Sequence, residues 1–183
     1  YAGRPNTFGM RWSNIFQQQT DLLIAVGTRL GLQQTGFNWK LFCPVGNVVQ
    51  VDIDKSELKK GHPKLALSIK ADANDFLPQL AKLIKNSSKN IEDWKSYLKF
   101  IKNELPITFD HAKRSSKYID PYNLIDKLSR LSFPSDIFTP GTSGGTHTAF
   151  YQTFLNKKGQ KIIPNKGLAS MGYGLAGAIG AAL

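Results

Sequence analysis

The sequence predicts an α/β protein built on parallel sheet in two successive units. Continuous apolar runs of strand length, Asp21 to Gly27 and Val48 to Asp54, alternate with segments of helical apolar spacing, the pattern of parallel α/β sheets. A fresh helix start at Asp120-Pro121 then opens a second strand and helix alternation.

Asp21-Leu-Leu-Ile-Ala-Val-Gly27 lacks polar alternation and ends in glycine, so it reads as a strand buried on both faces. A loop with Cys43-Pro44 and Gly46-Asn47 leads to the Val48 to Asp54 strand, and a shorter strand follows over Leu67 to Ala71. Phe76, Leu77, Leu80, Leu83 and Ile84 repeat at helical spacing, as do Ile91, Trp94, Leu98, Ile101 and Leu105. Pro106 to Tyr118 has weak periodicity and carries Lys113-Arg114-Ser115-Ser116-Lys117, the composition of a linker. The expected division is therefore 1–105, a linker over 106–119, and 120–183. Asp120 supplies an N-cap, Pro121 the first helical position, and Tyr122, Ile125, Leu128 and Leu131 the apolar stripe. A strand over Asp136 to Thr139, a Gly-rich loop, a helix from about Thr146 to Leu155, a strand around Lys161 to Ile163 and an Ala/Gly helix from about Met171 complete the chain. Gly167 to Leu183 carries no charge, but its Gly and Ala content favours a helix packed inside the protein over a membrane span.

Composition excludes several classes. A chain of 183 residues buries enough surface to need no disulfide or metal staple. The single Cys43 rules out an internal cystine framework and points to a reducing compartment, the cytoplasm. The 24 Lys and Arg against 13 Asp and Glu give a net charge of +11. Between Lys55 and Arg130 the cations are mostly lysines spread singly among acids, with only Arg114 and Arg130 as arginines. Nucleic-acid surfaces cluster arginines with stacking aromatics, so these lysines read as solvated helix faces. His62, His111 and His147 stand apart, without Cys or carboxylate at metal-ligand spacing, and no GxSxG occurs. Tyr1 in place of methionine and Leu183 inside an apolar run give the expectation of a piece of a longer protein.

Three segments could carry chemistry. Gly27-Thr28-Arg29-Leu30-Gly31 follows the first strand, and Asp52 ends the second. Ligands of open parallel sheets bind at the carboxyl ends of strands, where glycines admit a phosphate and an acid accepts ribose hydroxyls. An acid there also caps helices, and both readings stand. Gly141-Thr142-Ser143-Gly144-Gly145 precedes a helix, so its backbone N–H groups and hydroxyls suit an anion. It lacks the P-loop lysine, which disfavours nucleoside triphosphate hydrolysis, and capping by Thr142 or Ser143 is the alternative. Leu168 to Gly180, with Met171 before a run of Gly and Ala, reads by its chemistry alone as a closely packed helix.

In order, these segments resemble the thiamine diphosphate-dependent enzymes of the acetolactate synthase type. Thr20 to Leu30, Thr35-Gly36, Val49 to Lys55 and Ala71-Asp72-Ala73 look like that family's Rossmann-like central domain, and Ser170 to Ala182 looks like the start of its diphosphate-binding domain. The resemblance implies a thiamine diphosphate site with Gly141, Thr142 and Ser143 at the diphosphate. Met171 is implied as the wedge between the cofactor's rings, and the Ala169 carbonyl as acceptor from its amino group. Ala169 replaces the usual glycine, which costs little at negative φ. The resemblance also implies FAD contacts at Gly27, Thr28, Arg29, Asp52, Ile53, Asp72 and Ala73, with Arg29 on the diphosphate. Gly31 and Gln33 stand where acetolactate synthases commonly have an acid and an arginine, which weighs against flavin. The family's activating glutamate and its magnesium ligands, a GDG segment with a following Asn, have no counterpart in the sequence, so catalytic and metal residues are expected outside it. The implied parent is a homodimeric or homotetrameric 2-keto acid decarboxylating carboligase. A related decarboxylase or C–C hydrolase, or a non-catalytic nucleotide-binding module, are the alternatives.

Overall fold

A computed structural model describes residues 1–85, 90–108, 117–142 and 144–183. The chain divides into two compact units, Tyr1–Leu105 and Pro106–Leu183. Lys113 to Ser116 of the expected linker, and His111, lie outside the described residues.

The first unit holds a three-stranded parallel sheet in the order β1 (Leu22–Val26), β2 (Asn47–Asp52), β3 (Leu67–Lys70). Leu22 pairs with Asn47 and Val49 with Leu67. Central β2 is the strand that loses its water: Gln50 and Val51 are fully buried. β1 departs from the expected strand buried on both faces, since it lies at the sheet's edge, Leu22 is exposed and only Ala25 is buried. Ala25, Leu30, Phe42, Cys43 and Val48 form the core. Around the sheet run α1 (Arg11–Gln18), α2 (Leu32–Thr35), a 3-10 turn (Trp39–Leu41), α3 (Lys55–Lys59), α4 (Ala73–Lys85) and α5 (Glu92–Glu104). Asp54 caps α3 by accepting from the Ser56 N–H at 2.8 Å. α1 meets α5 through Phe16 stacked on Trp94, centroids 4.1 Å apart.

The second unit contains α6 (Pro121–Leu131), β4 (Ile137–Phe138), α7 (Gly144–Thr153), β5 (Lys161–Ile162) and α8 (Tyr173–Ala182), with β4 and β5 parallel. Ile125, Ala149, Phe150 and Phe154 form its core. The Phe154 ring lies 4.6 Å from Phe138 and 4.7 Å from Phe150. Ser129 ties α6 to the end of α7, donating to the Leu155 carbonyl at 3.0 Å and accepting from its N–H at 2.9 Å. α7 starts two residues earlier than expected, at the glycines. α8 starts two residues later than Met171, because Gly172 sits at φ +82°, a left-handed residue that a right-handed helix cannot include. The expectation of a closely buried final helix is not met within this chain, since no residue of α8 is buried and Leu175 is 76% exposed. Among the described residues, no helix is long and apolar enough to cross a membrane.

The Asp120 carboxylate accepts from the Asn123 N–H at 2.8 Å, with Pro121 at the first helical position, as the sequence indicates. Asp120→Ala is expected to lower the stability of the second unit by about 1 kcal/mol. A urea midpoint followed by helical circular dichroism measures it, and an unchanged midpoint would show that the cap contributes nothing.

Candidate functional site

Parallel pairing brings the carboxyl ends of β1, β2 and β3 to one edge. The Gly27 N–H donates to the Val51 carbonyl at 2.9 Å and the Ala71 N–H to Asp52 at 3.2 Å. Gly27 is at φ +60°, and a Cβ there would lie 3.9 Å from that of Ala73, so the end of β1 faces the start of α4. The structure therefore gathers Gly27, Asp52, Ile53, Asp72 and Ala73 at this edge. The two acids serve the fold: Asp52 is buried and accepts from the Asp54 N–H at 2.9 Å, and Asp72 accepts from the Asn74 N–H at 2.7 Å. The Thr28 carbonyl accepts from Gln50 Nε2 at 3.1 Å, and Ile53 is exposed.

Arg29 leads into a cleft of about 770 Å³ that Gly31, Gln33, Glu57, Lys60 and His62 also line. Its guanidinium is bonded to Glu57 Oε1 at 2.7 Å, while Lys60 Nζ lies 3.1 Å from Glu57 Oε2. Lys60 also donates to the carbonyls of Arg29 and Leu30. Glu57 and Lys60 were not among the residues that the sequence singled out. The signal was the spacing Asp54-x-x-Glu57, a capping-box pattern that opens α3 and places Glu57 in its first turn. Hydrogen bonds from Arg29, then Lys60, hold the Glu57 carboxyl below its ordinary value. The side-chain hydrogen bond from Ser56 lowers Asp54 likewise.

In the second unit the Gly-rich loop and the turn before α8 meet. Thr139 Oγ1 donates to the Gly174 carbonyl and Thr142 Oγ1 to that of Ser170, each at 2.9 Å. A Cβ on Gly174 would lie 3.3 Å from the Gly141 backbone and the Thr139 oxygen, a tight contact that the loop would have to yield to. His147 Nδ1 is 2.6 Å from the Gly141 carbonyl; that oxygen can only accept, so Nδ1 carries the proton. His147, which sequence alone reads as a surface or core residue, thus fastens the loop. Positions Gly141, Gly144 and Gly145 face open space, leaving their backbone approachable. Because the Thr142 hydroxyl proton is engaged by Ser170, what this loop offers an anion is chiefly backbone N–H and the start of α7. Met171 stands clear of the chain at 86% exposure. Ser143 lies outside the described residues.

Ala169 does not meet the condition under which alanine costs little. It sits at φ +52°, not at negative φ, and ends a turn closed by its N–H on the Asn165 carbonyl at 2.9 Å. Left-handed backbone costs an L-residue roughly 1–2 kcal/mol, so this position suits glycine.

Ala169→Gly is expected to stabilise the second unit by about 1 kcal/mol, the relieved strain less the greater chain entropy of glycine. An unchanged or lower urea midpoint would rule this out. A second expectation concerns acid. The Glu57 carboxyl is depressed in the folded state, so its contribution is complete above the unfolded value near about 4.3 and is lost as pH falls through the folded value. Glu57→Gln is therefore expected to flatten the acid limb of stability below about pH 4. Parallel limbs for the two proteins would show that the carboxylate is not coupled to folding.

Comparison with known proteins places these observations. Residues 1–80 match the family model described as thiamine pyrophosphate enzyme, central domain. The acetolactate synthase large subunit of Cyanidium caldarium is 31% identical over 99% of this chain and 30% of its own length. The isozyme 1 large subunit of Escherichia coli K12 is 32% identical over 96% of the chain and 30% of its own length. That of Corynebacterium glutamicum is 31% identical over 99% of the chain and 29% of its length. The chain thus spans about 30% of the length of these relatives. On a parallel α/β fold, residues 1–80 carry the central-domain pattern of the thiamine pyrophosphate enzymes, and nearly the whole chain is similar to acetolactate synthase large subunits.

Proposed function

We propose that the chain is part of a thiamine diphosphate-dependent enzyme that decarboxylates a 2-keto acid and joins the remaining carbons to a second carbonyl compound. The observation that carries this reading is the meeting of the Gly141 and Thr142 loop with the Ala169 to Gly174 turn, where Gly174 fits tightly against the Gly141 backbone and Gly141, Gly144 and Gly145 face open space. Such a backbone cradle fits a diphosphate: it offers exposed glycine backbone and the start of a helix. Gly141 and Thr142 would hold the diphosphate, with Ser143 assigned on sequence alone. The exposed Met171 would pack against the cofactor's rings, and the Ala169 carbonyl would accept from its amino group. Bound there, the cofactor supplies a nucleophilic carbon and an electron sink for loss of carbon dioxide.

Among the described residues no three potential metal ligands stand together. From the missing family motifs, magnesium and the glutamate that activates the cofactor are proposed to be held by parts of the protein other than these 183 residues, in a homodimer or homotetramer. The buried free Cys43 is compatible with a reducing compartment, and we assign the cytoplasm. The scattered lysines carry no nucleic-acid role in this reading.

Micromolar affinity requires about 8 kcal/mol, whereas a charge at a helix N-terminus contributes about 0.3–2 kcal/mol. The chain by itself is therefore expected to bind thiamine diphosphate and magnesium more weakly than about 10 μM by calorimetry. In the full-length protein, turnover of pyruvate or another 2-keto acid is expected to require both, and Met171→Ala to lower kcat at least about tenfold without lowering the unfolding midpoint. Full activity of the Met171→Ala enzyme, or turnover independent of thiamine diphosphate, would overturn the assignment.

A further inference from the structure

The cleft at the carboxyl edge of the first unit is large enough for a nucleotide, since ligand pockets run to roughly 300–1,000 Å³. Its charges, however, are already matched. Arg29 and Lys60 are its two cations, and Glu57 takes both, one on each carboxylate oxygen. Asp52 and Asp54 lie near enough to act on Arg29, though neither lines the cleft. A dinucleotide diphosphate, doubly negative, would have to share the exposed Arg29 with Glu57 and would find Lys60 already spent on Glu57 and two carbonyls. Of the seven positions at which flavin contacts are implied, Arg29 alone lines the cleft.

Lys60 has a second task. Leu30 is held at φ +46° with its side chain 2% exposed, a left-handed conformation that a bulky residue rarely adopts. The Lys60 ammonium bonds the carbonyls of Arg29 and Leu30, and its side chain is only 20% exposed against 81% for Arg29. The cation is thus built into the loop.

We infer that the first unit does not hold FAD: the Arg29, Glu57 and Lys60 ion cluster occupies the charge of its crevice and acts as an internal clamp that shapes the loop after β1. The inference concerns a different unit from the diphosphate loop, and neither depends on the other.

The test uses purified full-length protein in two measurements. Titration with FAD, followed by flavin fluorescence and by thermal unfolding, is expected to show no saturable binding and no rise in Tm up to about 100 μM. A flavin retained through purification, or a saturable rise in Tm, would overturn the inference. Lys60→Met is expected to lower Tm by several degrees and to speed amide exchange at Leu30 and Gly31. Unchanged Tm and exchange would remove the clamp. Should the variant not fold, the titration of the unaltered protein still decides the matter of FAD.

Discussion

Everything at both edges follows from the parallel direction of strand pairing. In the first unit β2 lies between β1 and β3, and the ladder runs one step beyond the strands through Gly27 on Val51 and Ala71 on Asp52. Three chain segments therefore leave the sheet at the same level, each with polar groups that the ladder no longer satisfies. In the second unit the Ile163 N–H on the Phe138 carbonyl at 2.8 Å does the same for the short β4 and β5 pair. It sets Thr139 to Thr142 and the segment after Ile163 side by side. The two candidate sites are consequences of strand direction before they are consequences of loop sequence.

The edges solve the same problem by different chemistry. At the first, charged side chains converge, and Glu57 shares its two oxygens between Arg29 and Lys60. Such an edge offers an anion little, because Lys60 is spent on Glu57 and two carbonyls and Arg29 is shared with Glu57. At the second, neutral groups do the joining: hydroxyls of Thr139 and Thr142 and the His147 ring bond to carbonyls, and glycines leave the outer side bare. There the exposed glycines leave room for a phosphate beside the backbone. That contrast is why we propose cofactor binding for the second unit and infer a structural role for the first.

Much of the architecture was legible because it rests on local pattern. The apolar runs at Leu22 to Val26 and Val48 to Val51 could only pair, and Asp120-Pro121 marked a helix start that the structure keeps. What pattern could not convey was partnership at a distance. A stretch of Gly and Ala reads alike whether its neighbours belong to the chain or not, so α8 was expected to be buried although Leu175 and Ile179 are exposed. The Arg29 to Glu57 pair spans 28 residues, and nothing in the first strand's sequence announces it. The backbone of Ala169 was illegible for a different reason. Alanine almost never signals left-handed geometry, which is imposed by the turn closed on Asn165.

Leu30 and Ala169 share more than the sign of φ. Both sit in turns leading away from a sheet's carboxyl edge, and in both a side chain from elsewhere bonds a carbonyl beside the strained residue: Lys60 on Arg29 and Leu30, Thr142 on Ser170. Strain of this kind persists only where neighbours over-determine it. For Leu30 the compensation is ample, since burying its side chain contributes about 1.5–3 kcal/mol besides the clamp. Ala169 is exposed and gains nothing by burial, so its turn rests on the Asn165 and Thr142 hydrogen bonds. Each contributes about 0.5–1.5 kcal/mol, comparable with the strain itself. The Ala169 carbonyl is therefore aimed by a balance of small terms, and the Gly-rich loop that supplies Thr142 takes part in aiming it.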